Sequence, residues 1–409
     1  MAEATRTLFT NASVLDPEHG TITPDQSVLA EGERIADVGP RLSAQDARVV
    51  DVHGRTVMPG LIDCHVHLIA AGAHLGDVAE WSPMYVAAHA GQIARGMLRR
   101  GFTTVRDAGG ADYGLARAIE EGLFEGPRLM FGGAALSQTG GHGDLRGPGR
   151  MSVEPGYPYS SLGNVVDGVA AMRRAVREEL KRGAHHIKLM LSGGVASPTD
   201  RVDSTQFSAE EIRAAVEEAE AANRYVLGHA YGSLAIRRGL ELGVRTIEHG
   251  NLMDESIPPL FVQHNAYYVP TLVTYTAMAE HGRDLGLPEV SFRKVFDVMD
   301  AGLHALELAH RAGVPIAYGS DLLGAMHRLQ SREFAIRGQV QPAADVLRSA
   351  TVVGARVVRM EGQIGTLAPG AYADLLVVDG NPLEDIGLLA QPETSVKLVM
   401  KGGRIYRDE

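Results

Sequence analysis

The sequence predicts a (β/α)8 TIM barrel joined to a small β-sandwich built from both chain ends. Three observations predict it. Eight short apolar strand segments alternate with amphipathic helical stretches over about 300 residues. Histidines and a carboxylate fall at the C-terminal ends of those strands, where barrels carry their chemistry. Both ends of the chain read as hairpins. A length of 409 residues suits one large barrel with an accessory part. The expected division is 1–58 and 362–409 for the two halves of the sandwich and 59–361 for the barrel.

In chain order, residues 7–14 read as a strand. Residues 27–31 and 34–38 flank the turn Glu31-Gly32-Glu33 as a hairpin. Barrel strands are expected at 61–67, 103–107, 128–132, 185–191, 225–229, 246–249, 267–271 and 315–320. Among the helices between them, Ser82 with Pro83 opens one running to Gly101. Ser208 with Glu211 forms a capping box opening another that runs to Asn223. Residues 167–182 and 292–312 carry helical periodicity. Residues 373–379 are a strand, and 396–400 with 404–407 flank Lys401-Gly402-Gly403 as a second hairpin. A doubly wound open sheet is the competing fold, but no G-x-G-x-x-G follows an early strand.

Composition narrows the function. Fifty acidic against 39 basic residues give a net charge of −11, which argues against nucleic acid and against an anionic membrane surface. No apolar run reaches the roughly 18 residues of a membrane span. The single cysteine, Cys64, excludes an intrachain disulfide and a cysteine-rich zinc module. Residues 1–11 lack the pattern of a signal peptide, so a cytoplasmic location is expected. A homo-oligomer acting on a small molecule or dipeptide is the expected state.

The first barrel strand ends in His65-Val66-His67. Strand side chains alternate, so the two histidines share the inward face while Cys64 and Val66 point to the helix layer. Lys188 lies on the inward face of the fourth strand, between Ile187 and Leu189. A buried ammonium is costly to desolvate. It is either ion-paired with a barrel carboxylate, or its pKa is lowered and its amine carries carbon dioxide as a carbamate. His186 shares that face lower down and reads as packing or as a hydrogen-bond support. His229, His249 and Asp321 end strands five, six and eight. Taken singly, each would be an ordinary core or loop polar group. Together, four histidines, a lysine and an aspartate are too many for one tetrahedral ion and enough for two, with zinc suited to such ligands.

These residues resemble the amidohydrolase superfamily. The stretch MPGLIDCHVH at 58–67 is similar to its signature, as are Lys188, His229, His249-Gly250 and Gly319-Ser320-Asp321. The terminal segments, including 365–379, resemble the small sandwich many members carry. The resemblance implies His65 and His67 on a more buried divalent ion, His229 and His249 on a more exposed one, and carboxylated Lys188 bridging them. Asp321 would bind the buried ion and handle protons. Within the superfamily, Thr139-Gly140-Gly141-His142-Gly143-Asp144, Ser192-Gly193-Gly194-Val195 and His229-Ala230-Tyr231 resemble the imidazolonepropionase-like group that includes prolidases. That closer resemblance implies that His142 and Tyr231 contact the substrate carbonyl or its terminal carboxylate. Without it, they read as a loop-stabilising histidine and a tyrosine at a helix start.

The expected activity is metal-dependent hydrolysis of an amide bond that releases an amino acid, from hydrophobic dipeptides including Xaa-Pro or from N-acyl amino acids. Asp321 would take a proton from water and pass it to the leaving amine, and His142 would steady the oxyanion. No G-x-S-x-G is present, so covalent acyl transfer is not expected. Alternatives are an aromatic amide with a phenylalanine leaving group (ochratoxin-type), a cyclic amide, lactone or phosphoester, and a non-catalytic scaffold. Nucleobase deamination fits poorly, since Lys188 is present and no glutamate closely follows His249. Leu272, Val273, Tyr275, Leu322, Leu323 and Met326 are expected at the pocket rim, or else as core beneath it.

Overall fold

The computed structural model describes residues 6–146 and 161–409. Residues 1–5, part of the N-terminal stretch weighed above as a leader, lie outside the described residues. The N-terminal region supplies β1 (Arg6–Asp16), β2 (Thr21–Glu31), β3 (Arg34–Gly39), β4 (Arg48–Asp51) and β5 (Thr56–Pro59). The middle supplies β6 (Leu61–Val66), β7 (Phe102–Asp107), β8 (Arg128–Phe131), β9 (Ala135–Ser137), β10 (Gly163–Val165), β11 (Ile187–Met190), β12 (Val226–Gly232), β13 (Thr246–Leu252) and β14 (Tyr267–Val269). The C-terminal region adds β15 (Leu375–Val378), β16 (Val396–Lys401) and β17 (Arg404–Asp408).

The two chain ends form one mixed sheet in the order β17-β16-β15-β5-β1-β2-β3, with β4 beside β1. The seam is the antiparallel pair β5–β15, with Val57 opposite Val377. Both expected hairpins are present, closing at Glu31–Arg34 and Lys401–Arg404. Alternation divides the sheet's two faces. Val57, Leu375, Val377, Leu398 and Met400 join a terminal core with Phe9 and Val28. Met58, Leu376, Val378 and Val399 face the large central core. Each such fully buried aliphatic side chain contributes about 1.5–3 kcal/mol.

Among the described residues, all pairings between these middle strands are parallel. One sheet is β6-β7-β8 and the other β10-β9-β11-β12-β13-β14. Backbone bonds join them: His185 N–H donates to Phe131 O at 2.8 Å, Ala317 N–H to Tyr268 O at 2.9 Å, and Cys64 N–H to Tyr318 O at 2.8 Å. The strand expected at 315–320 is reduced to a single bridge, Tyr268 with Ile316. Ser349 and Ala350 intrude there, accepting the N–H groups of Tyr318 and Ile62 at 3.1 and 2.7 Å. The short strands β9 and β10 were not expected, because three-residue strands carry too little periodicity.

The helices cover the parallel strands. The Ser208–Glu211 capping box forms as expected. Ser82 makes no side-chain cap, and Pro83 alone starts the helix Pro83–Arg99. The helix Glu289–Arg311 buries Phe292, Val295, Val298, Gly302, Ala305, Leu306 and Ala309, the three- and four-residue spacing of one helical face. None of the described helices is long and apolar enough to cross a membrane.

Candidate active site

β6 delivers His65 and His67 to one face, and Cys64 to the other. Cys64 packs with Ile62, Val269 and Ala317, and burial pushes its thiol up to about 12, so it is inert. Asp321 meets the two histidines, with Oδ1 3.4 Å from His65 Nε2 and 3.2 Å from His67 Nε2. Donor atoms from these three residues lie within 4.8 Å of one another. Asp321 arrives at φ 51°, anchored by its own N–H and that of Ser320 to His65 O at 2.8 and 3.2 Å. His249 is also left-handed, at φ 74°. Such conformations cost about 1–3 kcal/mol each and gather at functional sites.

His229 and His249 adjoin the cluster. The ring of His249 lies 4.9 Å from that of His65 and 4.6 Å from that of His229. Each of the four histidines spends one nitrogen on a neighbour outside the cluster. His65 Nδ1 meets Glu248 Oε2 at 2.7 Å, His67 Nδ1 meets Gly109 O at 2.8 Å, His249 Nδ1 meets Thr271 Oγ1 at 2.7 Å, and His229 Nε2 meets Gly193 O at 3.0 Å. The second nitrogens of His65 and His67 face Asp321. Burial holds His229 and His249 well below the usual imidazole pKa, so both keep a lone pair. Burial alone would raise the Asp321 carboxyl, but the facing His65 and His67 hold it well below the usual range. Imidazoles oriented by outer partners around an ionised carboxylate are a donor set that fits a divalent ion.

Lys188 is 1% exposed on β11, with Ile187 and Leu189 in the helix-facing core. Burial brings its ammonium down to about 8, against the opposing pull of Glu248 and Asp321. His186 is lower still in the interior, its Nε2 2.9 Å from Asp107 O, which makes it a packing and hydrogen-bonding group.

Two residues of this assembly escaped sequence reasoning. Arg106 Nη2 donates to both oxygens of Glu248 at 2.9 Å, its Nε to Cys64 O at 2.5 Å, and its Nη1 to Thr246 Oγ1 at 3.0 Å. Both charged side chains are fully buried. Burial would raise the Glu248 carboxyl, but Arg106 and His65 hold it far below the usual range. Glu248 and His249 are neighbours, so regular alternation would send them to opposite faces. The left-handed turn at His249 and Gly250 breaks that alternation and brings both into the interior. The available signal was an arginine and a glutamate mid-strand, where an isolated charge is costly.

A cavity opens above the cluster, lined by His67, His142, His229, Tyr231 and Asp321. Its walls are apolar, including Leu75, Leu145, Leu162, Met190, Val195 and Met278, and among the described residues no lysine or arginine lines it. The His142 ring stacks on His229, centroids 4.2 Å apart. A Cβ at position 194 would lie 2.1 Å from that ring, so only glycine leaves room. Tyr231 lies on the same rim, its hydroxyl accepting from Tyr275 at 3.1 Å. Of the six expected rim residues, Tyr275 and Leu323 line the cavity. Leu272, Val273, Leu322 and Met326 are core instead; residues 272–281 form a helix that turns Leu272 and Val273 away.

Comparison with known proteins gives the same picture. The sequence model of the amidohydrolase family matches residues 56–406. An ochratoxinase of Aspergillus niger is 35% identical over 419 aligned positions, covering 97% of this chain and 86% of the relative. A prolidase crystallised with N-methylphosphonate-L-proline is 50% identical with a TM-score of 0.97, covering 99% of this chain and all of that one. An Xaa-Pro dipeptidase with methionine bound in its active site is 31% identical with a TM-score of 0.88, covering 98% and 100%. The chain belongs to the amidohydrolase family, with an α/β fold of mixed sheets, and it is a hydrolase of amide carbon–nitrogen bonds.

Proposed function

We propose that this amidohydrolase is a binuclear, metal-dependent dipeptidase that cleaves Xaa-Pro and other hydrophobic dipeptides or N-acyl amino acids. The observation that carries the reading is an apolar cavity with no lysine or arginine among the described residues that line it, opening onto the cluster of His65, His67 and Asp321. Half-identity to a prolidase bound to a proline-containing phosphonate supports proline on the leaving side. His65, His67 and Asp321 would hold one zinc ion and His229 and His249 a second, with Lys188 carboxylated between them. Such ions, when bound, polarise an amide carbonyl and acidify water. Asp321 accepts the proton of the attacking water at its carboxylate and delivers it to the leaving nitrogen. Tyr231 donates a hydrogen bond from its hydroxyl to the substrate carboxylate, and His142 contacts the substrate from the same cavity. The apolar walls exclude bulk water from these transfers.

The reading includes closure of the two parallel sheets into one (β/α)8 barrel through 315–318, with 1–58 and 362–409 as the sandwich. It also includes a cytoplasmic homo-oligomer, which light scattering tests. A second substrate reading, an aromatic amide that releases phenylalanine, is supported by the same walls and by identity to an ochratoxinase. Amine release from a library of dipeptides and N-acyl amino acids, with added zinc, manganese or cobalt, tests both. Fastest turnover of Xaa-Pro is expected. Turnover confined to amides of phenylalanine would replace the first reading with the second, and no amine release under any metal would overturn both.

A further inference from the structure

The rim loop after β11 contains a hydrogen-bond chain with a defined direction. Asp200 lies there with its side chain 3% exposed, and Lys294 Nζ stands 3.3 Å from its Oδ1. Its Oδ2 accepts from Gln206 Nε2 at 2.9 Å and from Gly194 N–H at 3.3 Å. A carboxylate so surrounded by donors is an acceptor only. Ser197 Oγ is hydrogen-bonded to Asp200 Oδ1, and Ser197 is fully buried. The hydroxyl has a single proton, and two oxygens in contact need one between them, so Ser197 donates to Asp200. The Gly194 carbonyl, 3.1 Å from the same hydroxyl, already accepts from Lys294 Nζ at 3.0 Å. Ser197 Oγ therefore faces His142 Nδ1, at 2.9 Å, with lone pairs alone.

We propose that Ser197 and Asp200 are positioning residues that hold His142 as its Nδ1–H tautomer, so that it presents a lone pair at Nε2 to the substrate. The ring is clamped for this between His229 and the bare backbone of Gly194, and the backbone N–H of His142 is tied to Gln206 Oε1 at 3.0 Å. An unprotonated Nε2 accepts from an N–H or O–H of the substrate. It does not donate to a carbonyl oxygen or an oxyanion, which alters the role expected for His142 from the sequence. On the dipeptidase reading, the matching donor in an Xaa-Pro substrate is the amino group of the first residue, because the amide nitrogen of proline carries no hydrogen. The substrate class favoured at this rim is an aminoacyl-proline rather than a des-amino acyl-proline of the same skeleton. The tautomer itself does not depend on that reading.

Nitrogen NMR of zinc-supplemented, 15N-histidine-labelled enzyme tests the tautomer directly, with the His142 signals assigned by their loss in His142→Asn. A protonated Nδ1 and a bare Nε2 are expected in the wild type. A protonated Nε2 with a bare Nδ1 overturns the proposal. In Ser197→Ala the tautomer preference is expected to vanish while the signals of His65 and His67 stay in place, and Ser197→Thr is expected to restore it. An unchanged His142 tautomer in Ser197→Ala also overturns the proposal. In kinetics, Ser197→Ala is expected to lower kcat/KM about tenfold on alanyl-proline, the scale of one hydrogen bond, and to leave propionyl-proline nearly unchanged. Equal losses on both substrates remove the amino group as the partner of His142. If neither is hydrolysed yet the Nδ1–H tautomer is seen, the dipeptidase reading fails and the tautomer stands.

Discussion

Two imidazoles in this site are oriented by carboxylates, one at the floor and one at the rim, and the two arrangements are built differently. At the floor, His65 rests on Glu248, which Arg106 grips with one nitrogen shared between both oxygens at 2.9 Å. All three sit on strands, and the Arg106–Glu248 pair is fully buried. At the rim, His142 rests on Ser197, Ser197 on Asp200, and Asp200 on Lys294, whose side chain is 15% exposed. That chain runs through loops and reaches a helix. In the dry interior a broken ion pair leaves an uncompensated charge. Nearer the surface, water screens the loss. Damage at the floor should therefore reach the fold and the ligand set, while damage at the rim should reach substrate recognition.

The largest effect that tests this contrast is on the chemistry at the floor. Asp321→Asn is expected to lower kcat by about 10²–10⁴, the value of a positioned acid–base group. A kcat within a factor of about ten of wild type would remove Asp321 from proton transfer. Next, Arg106→Met should destabilise the fold by about 3–5 kcal/mol, since Glu248 is left charged and alone. Urea unfolding without added metal measures this apart from catalysis. A midpoint equal to wild type would mean that Glu248 needs no partner.

Another buried glutamate sharpens what the arginine does. Glu333 accepts the N–H of Val273 at 2.7 Å. The nearby Arg337 spends its bonds on Gln341 and the Ala317 carbonyl instead. Burial, only partly offset by Arg337, brings the Glu333 carboxyl up to about 8 from its ordinary 4.5. A carboxyl with a raised folded pKa contributes stability fully below the unfolded value and loses it as pH climbs through the folded one. Stability is expected to decline between pH 4.5 and 8, and Glu333→Gln should flatten that decline. A wild-type stability that rises across this window would show Glu333 to be ionised like Glu248.

The smallest predicted effect belongs to the rim. Tyr231→Phe is expected to lower kcat/KM by about 1.5–3 kcal/mol on a free-acid substrate, the range for a bond to a charged group. The loss should shrink when the substrate carboxylate is amidated. Metal content should stay at the wild-type value. An equal penalty on both substrates would end the claim that Tyr231 reads the carboxylate, and a loss of metal would erase the distinction between floor and rim.

Residues whose partners follow from periodicity were legible. His65 and His67 share a face because strand side chains repeat every two residues, and the same rule put Cys64 among apolar neighbours. Tyr231, two residues beyond His229, reached the same rim for that reason. The capping box at Ser208 was legible because it closes within one helical turn. Ser82 with Pro83 marked the helix start correctly, although Pro83 starts it there without a side-chain cap. The strand at 315–320 misled because Ser349 and Ala350 take hydrogen bonds that a strand there would need.

By itself the sequence determined the alternation of strand and helix, the two β-rich ends, and the set of histidines, lysine and aspartate at strand ends, since local periodicity and turn chemistry act over a few residues. It also determined that Gly194 carries no Cβ where the ring of His142 must lie. Only the tertiary structure decided which partner orients each ring. Glu248 stands 183 positions from His65 and Ser197 stands 55 from His142, and no pattern along the chain links such pairs. The left-handed turns at His249 and Asp321 belong to the same class, because they are strained conformations that the surrounding packing imposes and local preference opposes.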